Sequence, residues 1–273
     1  MRIDNDTIYH YTDYFALNGI LKDGQLRMNN VLNMNDATEM IHFMCAIRDA
    51  VIERLNDKDK ILALKDIFEQ ELKKEFSYSA YAACFSMFRD DASQWERYGN
   101  GGCGISIGFN RELLQSLIIE PISLQEVLYK DELDNHELIP AFLDIINKNE
   151  GFSSEDFSSV FHDAWIDSVV FKHSSFSSER ELRLVVLPFT AALDIKPCYH
   201  VSKERIKKYY PLSLKDMCSV NNIQIDELIT ELIIGPESTQ SLPILQDYLS
   251  DLGYDKLAKR VSLSECPLRR VIR

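Results

Sequence analysis

The sequence has little positive charge and no long apolar segment. Of its 273 residues, 30 are Lys or Arg and 43 are Asp or Glu, which gives a formal net charge of −13. Proteins that hold duplex nucleic acid by its phosphates need a basic face, so generic duplex binding is not expected. No apolar run approaches the roughly 20 residues of a membrane span, and no N-terminal segment has the pattern of a signal peptide. We therefore expect a cytoplasmic protein without a membrane partner.

Paired cysteines and metal-ligand motifs are also lacking. The six cysteines are scattered without paired spacing, and we expect reduced, mostly buried thiols. None of the six histidines has the i, i+4 partner of a zinc hydrolase, and no Gly-x-Ser-x-Gly elbow of a serine hydrolase occurs. The glycine-rich segment from Gly99 to Gly104 matches neither the dinucleotide fingerprint nor the P-loop, and we interpret it as a tight hairpin turn. No resident metal is expected.

The sequence does contain short strand-like segments interrupted by helical patterns. β-branched and aromatic runs predict strands near 7–12, 81–87, 105–109, 126–129, 179–187, 231–236, 260–262 and 269–272. Apolar residues at helical spacing predict two helical insertions, about 36–76 and 131–170, and shorter helices near 13–21, 91–98 and 239–252. A Pro-containing irregular stretch is expected up to about 214. This uneven pattern predicts an α+β fold in one domain over 1–273, with a central mixed or antiparallel sheet of short strands and inserted helices.

The most informative charges lie between Lys172 and Leu187. Glu179 and Glu181 flank Arg180 where a β-forming run begins. Residues two apart on a strand face the same way, so the two carboxylates share a face if the strand already includes position 179. The alternative interpretation is a solvated strand end whose charges pair at small net gain.

Two aromatic segments offer candidates for a ligand pocket. His10 lies in the middle of a predicted strand, between Tyr9 and Tyr11. It is either a core histidine that is hydrogen-bonded to a neighbouring group of the protein or a hydrogen-bond donor to a ligand. Trp95 and Tyr98 lie on a short predicted helix before the glycine-rich segment. They form either an aromatic staple or one wall of a pocket for a flat ring.

Several motifs occur in a characteristic order along the chain. They are Tyr9-His-Tyr-Thr12, Leu32-Asn-x-Asn-Asp36 with Glu39, Cys84-Phe-Ser86, Trp95-Glu-Arg-Tyr98, Gly104-x-x-x-Gly-Phe109, Lys172-His-x-x-Phe-x-x-Glu-Arg-Glu-x-Arg183, Ile233-Ile-Gly-Pro236 and Ser264-x-x-Pro-x-Arg269. On these motifs, over nearly its whole length, the chain resembles the bacterial family catalogued as domain-of-unknown-function 2971. Leu268 departs from the aromatic residue that the family tends to have there. The family name implies no reaction.

The opening of the chain is also similar to the ADP-ribosyltransferase fold. The matching features are the strand with Tyr9-His-Tyr-Thr12 and a short helix ending in Ile20-Leu-x-x-Gly-x-Leu26. The resemblance implies that His10 and Thr12 hold the nicotinamide-side ribose of NAD. That fold usually has Gly after the first-strand His, whereas this chain has Tyr11, which leaves less room beside the ribose.

The same resemblance implies roles for residues further along the chain. Ser86 or Tyr98 would lie near the nicotinamide, and Glu181 would be the catalytic carboxylate. Glu179 would match the first acid of the Glu-x-Glu pair in arginine-directed members of the fold. Arg183, on the face of Glu181, would bind phosphate or hold Glu181 ionised.

The resulting hypothesis is an enzyme that cleaves the nicotinamide–ribose bond of NAD, its substrate, and transfers ADP-ribose to an acceptor. The acceptor is a protein side chain, a nucleic acid, a small molecule or water, and a toxin or phage-defence role follows only by analogy. Two alternatives stay open. One is a non-catalytic nucleotide-binding module in which Glu181 is structural. The other is a nuclease or phosphotransfer enzyme with Glu179, Glu181 and an Asp such as Asp36 on a metal.

Overall fold

A computed structural model describes residues 6–33, 39–74, 80–129, 133, 135–148, 151–188, 196–201 and 205–268. The strands in these ranges are β1 (Thr7–Thr12), β2 (Gln25–Asn30), β3 (Tyr81–Ser86), β4 (Ile105–Asn110), β5 (Ile122–Glu126), β6 (Leu128–Tyr129), β7 (Phe171–Lys172), β8 (Glu181–Val186), β9 (Cys198–Val201), β10 (Ile206–Ser213), β11 (Ile229–Ile234) and β12 (Val261–Leu263).

The α-helices in the same ranges are α1 (Tyr14–Lys22), α2 (Glu39–Ile52), α3 (Lys58–Leu72), α4 (Ala92–Arg97), α5 (Arg111–Leu117), α6 (Leu138–Lys148), α7 (Ser158–Ser168), α8 (Leu214–Val220), α9 (Ile225–Leu228), α10 (Leu242–Asp251) and α11 (Asp255–Ala258). Short 3-10 helices span Val31–Asn33, Ser154–Phe157 and Ser174–Glu179.

The predicted α+β class with a mixed sheet is confirmed. The main sheet runs in the order β12-β11-β4-β1-β3-β2-β10-β9, and β8 pairs with β3 and β5. Its pairings are antiparallel apart from the parallel pair β11–β12. Strands β6 and β7 form a separate parallel pair. The long helices α2, α3, α6 and α7 fall within the two predicted insertions, and the single-domain organisation stays a prediction.

Strand β3 is the branch point of the sheet. On one edge it pairs with β8 along its whole length, from Tyr81↔Val186 to Ser86↔Glu181. On the other edge it pairs with β1 at Ser86, and with β2 at Ala82 and Tyr81. Strands β1 and β2 diverge between these points. The branch therefore brings β1, β3 and β8 side by side at one end of β3.

Alternate residues of β3 and β8 enter two apolar cores, one on each face of the sheet. Phe85 and Leu184 belong to the core that includes α1, α5, α10 and α11. Ala82 and Val185 belong to the core that includes α2, α3, α6 and α7. Strands buried on both faces have few polar positions, so a charged residue within them marks an exceptional environment.

The stretch before position 214 is not irregular as predicted, because it contains β9 and β10. Strand β10 was not predicted because it contains Pro211, and proline is rare inside strands. In the register Pro211 lies opposite Arg27 of β2, beyond the residues of β10 that pair with β9. Because one side of β10 is without a partner strand at that point, a residue without an N–H is tolerated there. Strand β2 and helix α5 were not predicted, and the strand predicted near 269–272 lies outside the described residues.

Two predictions of local structure need correction. The strand predicted over 126–129 is split, since β5 ends at Glu126 and β6 begins at Leu128. The glycine-rich segment is not a hairpin turn, because it connects α4 to β4. Glycine is needed at position 104 because a Cβ there would lie 2.1 Å from the carbonyl oxygen of Thr12.

The cysteines are free, as expected, but the prediction of mostly buried thiols is wrong. Cys218 is buried, and the other five are partly exposed. The described helices include none with both the length and the apolar character required to cross a bilayer.

Candidate active site

Lys172 is the centre of a buried ion cluster at the start of β8. Its Nζ lies 2.6 Å from Oε2 of Glu179, 2.8 Å from Oε2 of Glu181 and 3.9 Å from Oε1 of Glu39. All four side chains are at most 9% exposed. Burial alone would lower the pKa of Lys172, but the surrounding carboxylates raise it above its ordinary value. The ammonium group therefore stays charged.

Arg183 is the second buried cation of the cluster. Its Nε donates to Oε1 of Glu181 at 2.9 Å, its Nη2 donates to Oε2 of Glu39 at 2.7 Å, and its Nη1 donates to the carbonyl of Val169 at 2.7 Å. Arg183 and Glu181 are two residues apart on β8, so the prediction that they share a face is confirmed. The guanidinium is 2% exposed and each of its nitrogens already has an acceptor.

The carboxylates around these cations have pKa values shifted in opposite directions. Burial alone would raise the pKa of Glu181, but the charges of Arg183 and Lys172 outweigh burial and lower it to about 2. For Glu39 burial is the largest influence, and its pKa is raised in spite of the same two cations. Glu181 is therefore ionised at neutral pH.

Glu179 reaches the cluster by a different route from the predicted one. It is the last residue of the 3-10 helix Ser174–Glu179, and the strand begins only at Glu181. The prediction that the strand includes position 179 is wrong because Arg180, with φ of 41°, adopts the left-handed conformation and breaks the alternation. The left-handed turn nevertheless brings both carboxylates against Lys172.

The solvent-facing rim of the cluster is basic and aromatic. Arg97, whose side chain is 45% exposed, forms an ion pair with Glu179. The hydroxyl of Tyr98 donates to both oxygens of Glu179 at 3.3 Å, and burial raises its pKa so that it stays protonated. The ring of Phe176 lies 5.1 Å from Nζ of Lys172 and 5.3 Å from Cζ of Arg97. These side chains place two flat rings and one accessible cation beside the buried acids.

His10 lies on the other face of the sheet from Glu181. Its Nδ1 is 2.8 Å from the carbonyl oxygen of Cys84, which lies between the points where β3 pairs with β1 and β2. Its ring packs against Phe85, with centroids 5.6 Å apart. Because Phe85 and Ser86 point to opposite faces of β3, and Ser86 pairs with Glu181, the imidazole and that carboxylate are separated by the sheet. The alternation of β1 puts Thr12 on the face of His10.

The hydrogen bond to Cys84 also sets the chemical state of His10. Burial lowers the pKa of its imidazole, so the neutral form is favoured. Since a carbonyl oxygen can only accept, Nδ1 carries the proton and Nε2 keeps its lone pair.

Three other predicted residues take part in packing and backbone contacts. The ring of Tyr11 packs edge-on against the fully buried Trp95, with centroids 4.8 Å apart, and its hydroxyl donates to the carbonyl of Phe88 at 2.8 Å. The hydroxyl of Ser86 donates to the carbonyl of Glu179 at 3.0 Å. These contacts favour the aromatic-staple interpretation for Trp95 and a positioning role for Ser86.

Sequence reasoning assigned no role to two members of the cluster, Glu39 and Lys172. Glu39 was named only within the motif Leu32-Asn-x-Asn-Asp36 with Glu39, whose Asp36 lies outside the described residues. Nothing local marks Glu39, because acidic residues are ordinary in the first turn of a helix. Lys172 had a usable signal, since it directly follows the apolar run Val169–Phe171 and is 4% exposed.

The carboxylates of the cluster surround an ammonium group. Among the residues that the structure describes, no group of three His, Cys, Asp or Glu side chains is arranged to hold a metal ion. Glu179 and Glu181, two ligands in the nuclease alternative, instead share the ammonium of Lys172.

Comparison with known proteins supports the family resemblance in part. Residues 94–184 match the model of a family described as "Protein of unknown function (DUF2971)". This segment includes the motif around Trp95 and the one from Lys172 to Arg183, whereas the N-terminal and C-terminal motifs lie outside it. No curated protein and no solved structure matches the chain.

Proposed function

We propose that the chain is an ADP-ribosyltransferase-like enzyme that cleaves the nicotinamide–ribose bond of NAD and transfers ADP-ribose to an acceptor. The observation that carries this proposal is the strand arrangement. Strands β1, β3 and β8 lie side by side with Tyr9, Ser86 and Glu181 in register, and Glu181 is ionised at the start of the late strand. Such a carboxylate stabilises the positive charge that develops on the ribose as the glycosidic bond breaks.

The surroundings of Glu181 suggest how the reaction is divided among side chains. Glu179, beside Tyr98 at the rim, orients the acceptor or takes a proton from it. The partly exposed Arg97 donates to a phosphate of NAD, and the ring of Phe176 offers a stacking surface for the nicotinamide. In this proposal NAD binds at the solvent-facing rim of the cluster.

The structure changes the roles that the resemblance to the ADP-ribosyltransferase fold implied for Arg183 and His10. Arg183 is too enclosed to bind phosphate, so it positions Glu181 and holds it ionised. His10 keeps Nε2 as an acceptor for a ribose hydroxyl. However, its side chain and that of Thr12 contact the ribose only if the ligand enters the gap where β1 and β2 diverge from β3.

A second candidate function is a non-catalytic nucleotide-binding module, and one observation favours it. Both oxygens of Glu181 already accept hydrogen bonds, one from Arg183 and one from Lys172, and the residue is 7% exposed. A carboxylate held in this way reaches a ribose only when an ion pair opens. In the module, the cluster is structural and the nucleotide lies at Arg97 and Tyr98.

The deciding experiment measures nicotinamide release from NAD by the purified protein, with and without cell lysate. We expect release by the wild type, and a requirement for lysate would indicate a macromolecular acceptor. Glu181→Gln should reduce the rate by about a hundredfold or more while the protein stays folded. The matched control is Glu71→Gln, because Glu71 is 3% exposed and accepts from Nε1 of Trp165 at 3.0 Å in the helical core.

Each alternative has its own outcome in this assay. Absence of release, together with NAD binding that Glu181→Gln leaves intact, would establish the binding module. An activity on nucleic acid that a chelator abolishes would establish the metal-dependent alternative. Equal loss of release in Glu181→Gln and Glu71→Gln would show that Glu181 acts only through stability.

A further inference from the structure

Strands β2, β10 and β9 present a solvent-facing surface that the proposed reaction does not use. In β2 the exposed residues alternate with buried ones, so Arg27 and Asn29 face solvent. The register places Asn29 opposite Tyr209, and His200 opposite Lys207. Residues paired in this way share a face of the sheet. We call the surface formed by Arg27, Asn29, His200, Lys207 and Tyr209 the basic face.

The basic face carries positive charge on an acidic protein. Its two cations are Arg27 of β2 and Lys207 of β10, whereas the neighbouring Lys208 faces the other side of the sheet, with its Nζ 5.8 Å from the ring centroid of Tyr81. The net charge of the whole chain is −13. Within the described ranges, neither Arg27 nor Lys207 lies within ion-pair distance of a carboxylate. Their charge is therefore available to an anionic ligand.

An aromatic ring lies between the cations of the basic face. The guanidinium of Arg27 lies 5.2 Å from the ring centroid of Tyr209, and Lys207 is two residues from Tyr209 on the same strand face. Tyrosine rings and guanidinium planes both stack on unpaired nucleic-acid bases, while cations on the same surface pair with the phosphates. Asn29 and His200 add hydrogen-bonding groups on either side.

We propose that the basic face binds single-stranded nucleic acid, with phosphates at Arg27 and Lys207 and a base stacked on Tyr209. Stacking requires bases that are not paired, which a duplex does not offer. The acidic remainder of the surface repels a polyanion, so binding is confined to this face. This inference does not depend on the chemistry proposed for Glu181.

The test is fluorescence anisotropy with labelled oligouridine RNA and oligothymidine DNA of about ten nucleotides. We expect binding by the wild type, weakened about tenfold or more by Tyr209→Ala and retained by Tyr209→Phe. Arg27→Gln with Lys207→Gln should weaken binding at low salt and reduce the slope of log K against log salt by about 1.4, because two phosphate contacts are lost. The control, Lys22→Gln with Lys256→Gln, removes the same charge from exposed residues of α1 and α11 and should leave binding unchanged.

Several results would overturn the inference. They are absence of binding to both oligonucleotides, an equal loss in the control double variant, or tighter binding to the matching duplex. Competition by polyglutamate as effective as that by unlabelled oligonucleotide would instead identify an acidic protein as the partner. Circular dichroism of each variant checks the fold. Glu181→Gln should bind like the wild type, so failure of the NAD proposal leaves this result unaffected.

Discussion

The ion cluster around Lys172 and the ion pair between Arg89 and Glu231 use the same chemistry in different surroundings. In the cluster, the side chains of Lys172 and its three carboxylates are at most 9% exposed. Arg89 and Glu231 also form three close contacts, at 2.6, 2.9 and 3.1 Å, but their side chains are 38% and 22% exposed. Water can replace a lost partner in the pair, whereas in the cluster it cannot. Burial, rather than the number of contacts, therefore decides how strongly each charge depends on its neighbours.

The difference also bears on function. Moving charges out of water is costly, and well-packed apolar residues often stabilise a core as well as a buried ion pair does. The cluster keeps three carboxylates and two cations between β8, β7 and α2. Charged groups with strongly shifted pKa values gather at functional sites more often than elsewhere. The comparison therefore supports a functional site at the buried cluster rather than at the Arg89 pair.

The largest expected effect is at Lys172. The substitution Lys172→Met leaves Glu179 and Glu181 buried without their shared ammonium group, and should reduce the free energy of unfolding by about 3–5 kcal/mol. Urea denaturation at neutral pH measures the change. Arg89→Met is the control, and it should cost much less because Glu231 is accessible to water. If both variants lost the same free energy of unfolding, burial would not be what makes Lys172 depend on its partners more strongly than Arg89 does.

Acid should weaken the cluster through Glu181. Its pKa in the folded protein is about 2, below the ordinary value of 4.5, so its contribution is present above pH 4.5 and is lost as the pH falls through 2. The contribution is on the order of 3 kcal/mol. Glu39 has a raised pKa, so its protonation on acidification favours the folded state and opposes part of the loss.

The measurement is the free energy of unfolding of the wild type and of Glu181→Gln from neutral pH to about pH 2. The stability advantage of the wild type over the variant should shrink as the pH falls below 4.5. Parallel curves for the two proteins would show that Glu181 is not held ionised by Arg183 and Lys172.

The smallest expected effect is the coupling between Arg89 and Glu231. A double-mutant cycle with Arg89→Gln and Glu231→Gln should give a coupling energy below about 1 kcal/mol that falls with added salt. The cycle on Lys172 and Glu179 should give a larger and salt-insensitive value. A salt-insensitive coupling of several kcal/mol between Arg89 and Glu231 would show that solvent exposure does not determine the strength of the ion pairs in this protein.

Local features of the fold were predictable from the sequence. The strand Thr7–Thr12 has the predicted bounds because its β-branched and aromatic residues favour extended structure. The helix predicted near 13–21 is α1, and Asp13 caps it by accepting a hydrogen bond from the backbone N–H of Ala16 at 2.8 Å. Strands β9 and β10 were missed because the proline of β10 and their exposed apolar residues do not follow the pattern of a half-buried strand.

The candidate site was predictable only where its members are close in sequence. Glu179, Glu181 and Arg183 were singled out together, and the structure places them in one cluster with Lys172. Arg97 was not singled out, because it reaches Glu179 from the end of α4. His10 was assigned to the same site by resemblance, but its side chain lies on the opposite face of the sheet.

By itself, the sequence determined the acidic character of the chain, its α+β class and most of its strands and helices, because charge, capping and periodicity depend on neighbouring residues. The tertiary structure alone decided which charges meet. Glu39 contacts Arg183 only because α2 packs against the face of β8. Glu179 joins Glu181 only because Arg180 takes a left-handed conformation. Such contacts depend on strand order and backbone direction across long sequence separations, which local patterns do not encode.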